Sequence, residues 1–85
     1  MIDMREKILE ALSKERLDHI ELYNKIATRS MHYNKYIRLQ YKRLLSEMLD
    51  EDLIKIDGHV MRYVALQKID CVIYTLSEKG KQRLT

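Results

Sequence analysis

Between Leu22 and Ser46 the chain carries six basic residues, Lys25, Arg29, Lys35, Arg38, Lys42 and Arg43, and no Asp or Glu. Cationic side chains gathered without intervening acids do one kind of chemistry well, which is to neutralise a polyanion and release its counterions. The remaining segments sharpen the contrast, with net charges of −2 over residues 1–21, −4 over 47–57 and +3 over 58–85. An overall charge of +3 therefore conceals a polarised molecule. Other chemistry has little to draw on. His19, His32 and His59 stand far apart, with no Cys partner and no H-x-x-x-H pair, so no metal-ligand set is spelled out. No nucleophile elbow, phosphate-binding glycine loop or paired catalytic carboxylate motif occurs, and the acids Glu47, Asp50, Glu51 and Asp52 gather at what reads as a helix end. These features predict a non-enzymatic binding protein with no cofactor and no small-molecule ligand.

The elements that must position the cations follow from periodicity and caps. Eighty-five residues suit one domain spanning 1–85, and a third of them charged with no Pro and two Gly describe a regular, helix-rich chain. No apolar run approaches the ~20 residues of a membrane span and the charged start is no signal peptide, so a cytoplasmic location is expected, nucleoid-associated or in a host cytoplasm if viral. Cys71 lies alone in an apolar alternating run and reads as a buried small hydrophobe. Asp3 with Glu6 opens a first helix over about 4–15, with Ile8, Leu9 and Leu12 at core spacing. Asp18 with Glu21, stapled by Leu17 and Leu22, opens a second helix from His19 to about Ala27. Ser30 or Asn34 caps a third, ending near Asp50, with Tyr33, Ile37, Tyr41, Leu44 and Met48 on one stripe. The period then changes to two. Residues 53–56 and 60–66 flank an expected turn at Asp57-Gly58, a polar interruption covers 67–70, and 71–76 completes a two-stranded antiparallel ribbon. Ser77 caps a short final helix over 78–84.

Two strings narrow the fold. Leu45-Ser46-Glu47-Met48-Leu49-Asp50-Glu51-Asp52-Leu53-Ile54 and Tyr74-Thr75-Leu76-Ser77-Glu78-Lys79-Gly80 resemble the patterns L-x-x-L-x-x-x-G-L-I and Y-x-L-T-x-K-G of winged helix-turn-helix DNA-binding domains. The resemblance implies an α+β fold of three helices, a β-hairpin wing and a short C-terminal helix. It also implies a sequence-specific double-stranded DNA-binding protein that regulates transcription. Asp52 stands where that pattern has Gly, and Ile69 and Cys71 replace the Asp-x-Arg of the multiple-antibiotic-resistance regulators, to which the similarity is distant. Without the extra terminal helices of those larger regulators, the chain looks more like the minimal winged-helix proteins of archaea and their viruses.

On a wheel of 100° per residue, Lys35, Leu39, Lys42, Arg43 and, at the edge, Arg38 oppose the apolar stripe. Helix-turn-helix docking would place residues 32–39 against base edges in the major groove. Arg38 is the expected reader of guanine, Lys35 and Lys42 the phosphate anchors, and Asn34 or Gln40 the partner for adenine, with Arg29, His32 and Arg43 completing the surface. On the wing, Arg62, Lys68 and His59 are the candidates for the backbone or minor groove. Of the six tyrosines, Tyr23, Tyr33, Tyr41, Tyr63 and Tyr74 are expected in the core and Tyr36 outside it. A homodimer is expected through the first helix and the C-terminal segment. The rival reading is a protein-interaction adaptor in which the acidic 47–57 stretch docks on a basic face, or a nonspecific nucleoid binder.

Overall fold

The computed structural model describes residues 4–28 and 34–84. Its elements run α1 (Met4–Lys14), β1 (Leu17–Asp18), α2 (His19–Ile26), α3 (Lys35–Asp50), β2 (Ile54–Val64), β3 (Gln67–Leu76) and α4 (Glu78–Arg83). Three helices start on side-chain caps, each satisfying amide donors that the first helical turn leaves unpaired. Asp18 accepts from the Ile20 and Glu21 amides while the Glu21 side chain returns to the Asp18 amide, closing the expected capping box. Asn34, not Ser30, is the cap of α3 and accepts from the Tyr36 and Ile37 amides. Ser77 accepts from the Gly80 amide at 3.0 Å. The predicted starts at Asp3 and Ser30, and the core position of Tyr33, lie outside the described residues.

The core joins Ile8, Leu9 and Leu12 of α1, Leu22, Tyr23 and Ile26 of α2, Tyr41, Leu45 and Met48 of α3, and Leu17, Leu53, Ile54 and Leu76 at the base of the sheet. Each such side chain removed from water contributes roughly 1.5–3 kcal/mol, which is what holds three short helices on a small sheet. The α3 stripe is rotated slightly from the expected one: Leu45 is fully buried, whereas Leu44 is only partly so. Tyr23 and Tyr41 meet edge to face with ring centroids 4.8 Å apart. The Tyr41 hydroxyl donates to the His19 carbonyl at 2.7 Å, which fixes α3 against the start of α2.

The sheet corrects the expected ribbon in three ways. It has three strands in the order β1-β3-β2, because Leu17 and Asp18 pair with Tyr74 and Ile73 before α2 begins. Asp57-Gly58 is no turn. The two residues form a register shift between Ile56 and His59 inside a continuous β2, with Gly58 at φ 114° and Asp57 held by Arg16 at 2.8 Å. Residues 67–70 are strand rather than interruption, so the hairpin turns at Ala65-Leu66, further out than the sequence pattern indicates. Tyr63 consequently stands on the outer part of the wing and is 76% exposed, not in the core.

At its other end the hairpin is rooted firmly. The last turn of α3 closes with Leu53 N–H donating to the Met48 carbonyl at 3.0 Å and Asp52 N–H to the Leu49 carbonyl at 3.1 Å. That is a Schellman closure, with buried Met48 and Leu53 as its apolar pair and Asp52 at φ 60° in the position glycine prefers. The Ser77 hydroxyl donates to the Asp52 carbonyl, and the Ser77 amide to the Leu53 carbonyl at 3.1 Å. Gly80 packs on the same corner so tightly that a Cβ would lie 2.1 Å from the Leu53 carbonyl oxygen. The second glycine of the resemblance motif is thus needed for space.

Candidate nucleic-acid interface

Burying Tyr41, Leu45 and Met48 forces the opposite side of α3 outward. Lys35, Arg38, Leu39 and Lys42 follow one another at helical spacing on that side, flanked by Tyr36 and Arg43, and all six are exposed. No acid interrupts the face, since the first in the helix is Glu47. Lys35, Lys42 and Arg43 form no ion pair with any described residue. Leu39, 62% exposed at its centre, gives the face an apolar point of the kind a thymine methyl can meet.

Several other cations are already engaged. Arg5 binds Glu51 at 2.6 Å and Glu47 at 3.6 Å, joining α1 to the end of α3. Lys25, part of the acid-free stretch in sequence, reaches back to Glu15 at 3.7 Å and so leaves the α3 face. Arg62 lies mid-strand rather than at the tip: its Nε is 2.5 Å from Asp18 Oδ2 and its Nη2 is 3.1 Å from Glu21 Oε1. This pair clamps the wing to the start of α2. Asp18 is 1% exposed, and burial works to raise its pKa, but the Glu21 amide and the Arg62 guanidinium outweigh that and hold the carboxyl below its ordinary value.

The wing and α3 meet at a recess of about 350 Å³ lined by His19 and Asn24 of α2, Arg38 and Lys42 of α3, and Val64 near the hairpin tip. No local pattern in the sequence signals this recess, because its walls come from three separated segments. Burial lowers the His19 pKa from its usual 6.5, the Asp18 charge raises it and the Lys42 charge lowers it, for a net decrease. Lys68 lies across from Tyr63, two positions from the turn, exposed and without an ion pair among the described residues. His59 faces Asp70 at 3.1 Å, well back from the tip. Asn34 Oδ1 is engaged in capping α3, and Arg29 and His32 lie outside the described residues. Among the described residues no cluster of three or more His, Cys, Asp or Glu is placed to hold a metal, and no helix is long and apolar enough to cross a membrane.

Three core helices, a sheet order that sends β2 and β3 out as one long hairpin, and a helix exposed beside that hairpin define a winged-helix domain. The fold is similar to that of PadR from Bacillus subtilis, solved in complex with operator DNA, with a TM-score of 0.67 and 21% sequence identity over 95% of this chain. The chain spans 44% of the length of that PadR chain. No protein-family model matches the sequence, and no curated protein does.

Proposed function

We propose that this protein binds double-stranded DNA and regulates transcription, laying α3 in the major groove and the wing along the backbone or minor groove. The observation that carries the reading is the uninterrupted cationic face of Lys35, Arg38, Lys42 and Arg43, exposed on a helix of the right width for the groove and bordering the recess that leads to the wing. The likeness to a fold solved on operator DNA supports it. Arg38 is the proposed base reader and Lys35, Lys42 and Lys68 the proposed phosphate contacts. Arg62 is assigned instead to positioning, since its guanidinium holds Asp18 and Glu21. A homodimer acting in the cytoplasm, of the minimal kind found in archaea and their viruses, completes the proposal. The adaptor reading draws less support, because Glu47 and Glu51 of the acidic stretch are already engaged by Arg5.

Anisotropy of a labelled random duplex across a salt series tests this directly. Six to eight phosphate contacts on a two-fold dimer give a slope of roughly −5 to −7 in log K against log salt, at about −0.9 per contact. The Lys35, Arg38, Lys42, Arg43 to Ala variant, verified as folded by circular dichroism, is expected to lose the binding and the slope together. Absence of wild-type binding at low salt would refute the proposal.

A further inference from the structure

The two residues at the wing tip are the wrong ones for their backbone. A two-residue turn joins Val64 to Gln67, and both of its residues take left-handed torsions, Ala65 at φ 51° and Leu66 at φ 67°. This is the backbone of a type I′ hairpin turn, which Asn-Gly fills without strain and which a side chain such as leucine resists. Leu66 gains no packing in return, for it is 100% exposed. Strain kept at an exposed position with no intramolecular contact points to a role outside the chain.

The surroundings say what kind of role. The tip sequence Tyr63-Val64-Ala65-Leu66 is apolar, with Tyr63 and Val64 also exposed. Leu66 lies two residues beyond Val64, which still borders α2 and α3, and stands fully exposed at the end of the hairpin. Lys68 stands just behind the tip with no acidic partner among the described residues. Val64 lines the same recess as Arg38 and Lys42, so the tip is on the side of the molecule that the cationic helix faces. A ligand seated on that side meets positive charge first and a projecting leucine beyond it. A ligand that satisfies both presents anionic groups at its surface and apolar groups within reach behind them. Duplex DNA has that construction, with phosphates lining a minor groove and stacked bases at its floor.

We propose that Leu66 is an apolar wedge that enters the minor groove, partly unstacks one base step and bends the duplex toward the major groove. The inference rests on the DNA-binding reading above and goes beyond it, from where the wing touches to what the wing does. Lys68 anchors the adjoining phosphate, and the Arg62 clamp on Asp18 and Glu21 provides the rigid mount that a wedge requires.

The test uses the full chain and a duplex that carries a donor and an acceptor at its ends and 2-aminopurine at its TA steps, which are the easiest to open. Wild type is expected to raise end-to-end energy transfer and 2-aminopurine fluorescence on binding. The double variant Ala65→Asn, Leu66→Gly gives the turn its preferred residues, so its hairpin is retained. It is expected to bind with an unchanged salt slope, because no phosphate contact is removed, while both bending signals disappear. Leu66→Met, which keeps an apolar wedge, restores them. Equal signals from wild type and the Asn-Gly variant overturn the proposal, as does wild-type binding that leaves the duplex straight and stacked. Leu66-dependent binding to anionic vesicles without DNA bending overturns it in favour of a membrane surface. Failure of wild type to bind any duplex overturns the DNA-binding reading as well, and is distinguished by the anisotropy measurement alone.

Discussion

The root and the tip of the wing make the same backbone demand and meet it in opposite ways. Asp52 at the root and Ala65 and Leu66 at the tip are the three described non-glycine residues with positive φ. At the root the left-handed residue closes a Schellman turn over buried Met48 and Leu53, and its carbonyl is held by the Ser77 hydroxyl. At the tip nothing packs against the turn. The difference teaches where this small domain keeps its stability: in the corner shared by α3, β2 and α4, with the outer hairpin left available for contact with a partner.

The most damaging substitution should therefore fall at the root. Gly80→Ala drives a methyl into the Leu53 carbonyl and against Leu76, and is expected to lower stability by about 3 kcal/mol or abolish folding, read by urea denaturation. Asp18→Ala, where the wing is clamped to α2, removes a cap and one of the two carboxylates that hold the Arg62 guanidinium, for an expected loss of about 1–2 kcal/mol from the cap. The Asp18 pKa is depressed in the folded chain, so its stabilising share is complete above the unfolded carboxyl value of about 4 and is lost as pH falls through the lower folded value. Asp18→Asn, which can still cap, should flatten that acid limb of the stability profile.

Relieving either strained turn should do the reverse. The Ala65→Asn, Leu66→Gly pair is expected to raise stability by about 1 kcal/mol, with no buried contact to lose. Asp52→Gly should add about 0.5 kcal/mol in the same assay, less because Asp tolerates the left-handed region better than most residues. If tip relief instead destabilised the fold, the contrast between root and tip would fail. The smallest expected effect is on binding: a phosphate near the recess favours protonated His19, so duplex affinity should rise about threefold as pH falls from 7.5 to 6, and His19→Gln should remove that rise.

The helices were legible because their signals are local. Asp18 with Glu21, and Ser77, announce two starts within four residues of chain, Asn34 is one of two candidates for a third, and the burial of α1 and α2 follows their apolar spacing. The hairpin was less legible for a physical reason. Asp57-Gly58 has the composition of a tight turn, yet β3 pairs with the residues on both sides of it, so the two residues become an extra residue's worth of register in a continuous strand. Ala65-Leu66 has no turn composition, and the strand pairing on either side imposes the turn. A two-residue β1 is too short for any period to show. The cationic side of α3 could be read from a helical wheel, whereas Arg62 found its partners 44 and 41 positions away in sequence, a pairing no spacing rule reveals.

The register shift at Asp57-Gly58 has a consequence for the protein at high concentration. With the strand order β1-β3-β2, β2 is an edge of the sheet, and it carries exposed Ile56, Met61 and Tyr63. A straight apolar edge of 11 residues would be a template for another molecule's strand and a seed for aggregates. The bulge bends that edge and splits it into two shorter runs, with a carboxylate between them. The irregularity that misleads sequence reading also interrupts the straight edge that another molecule's strand would need.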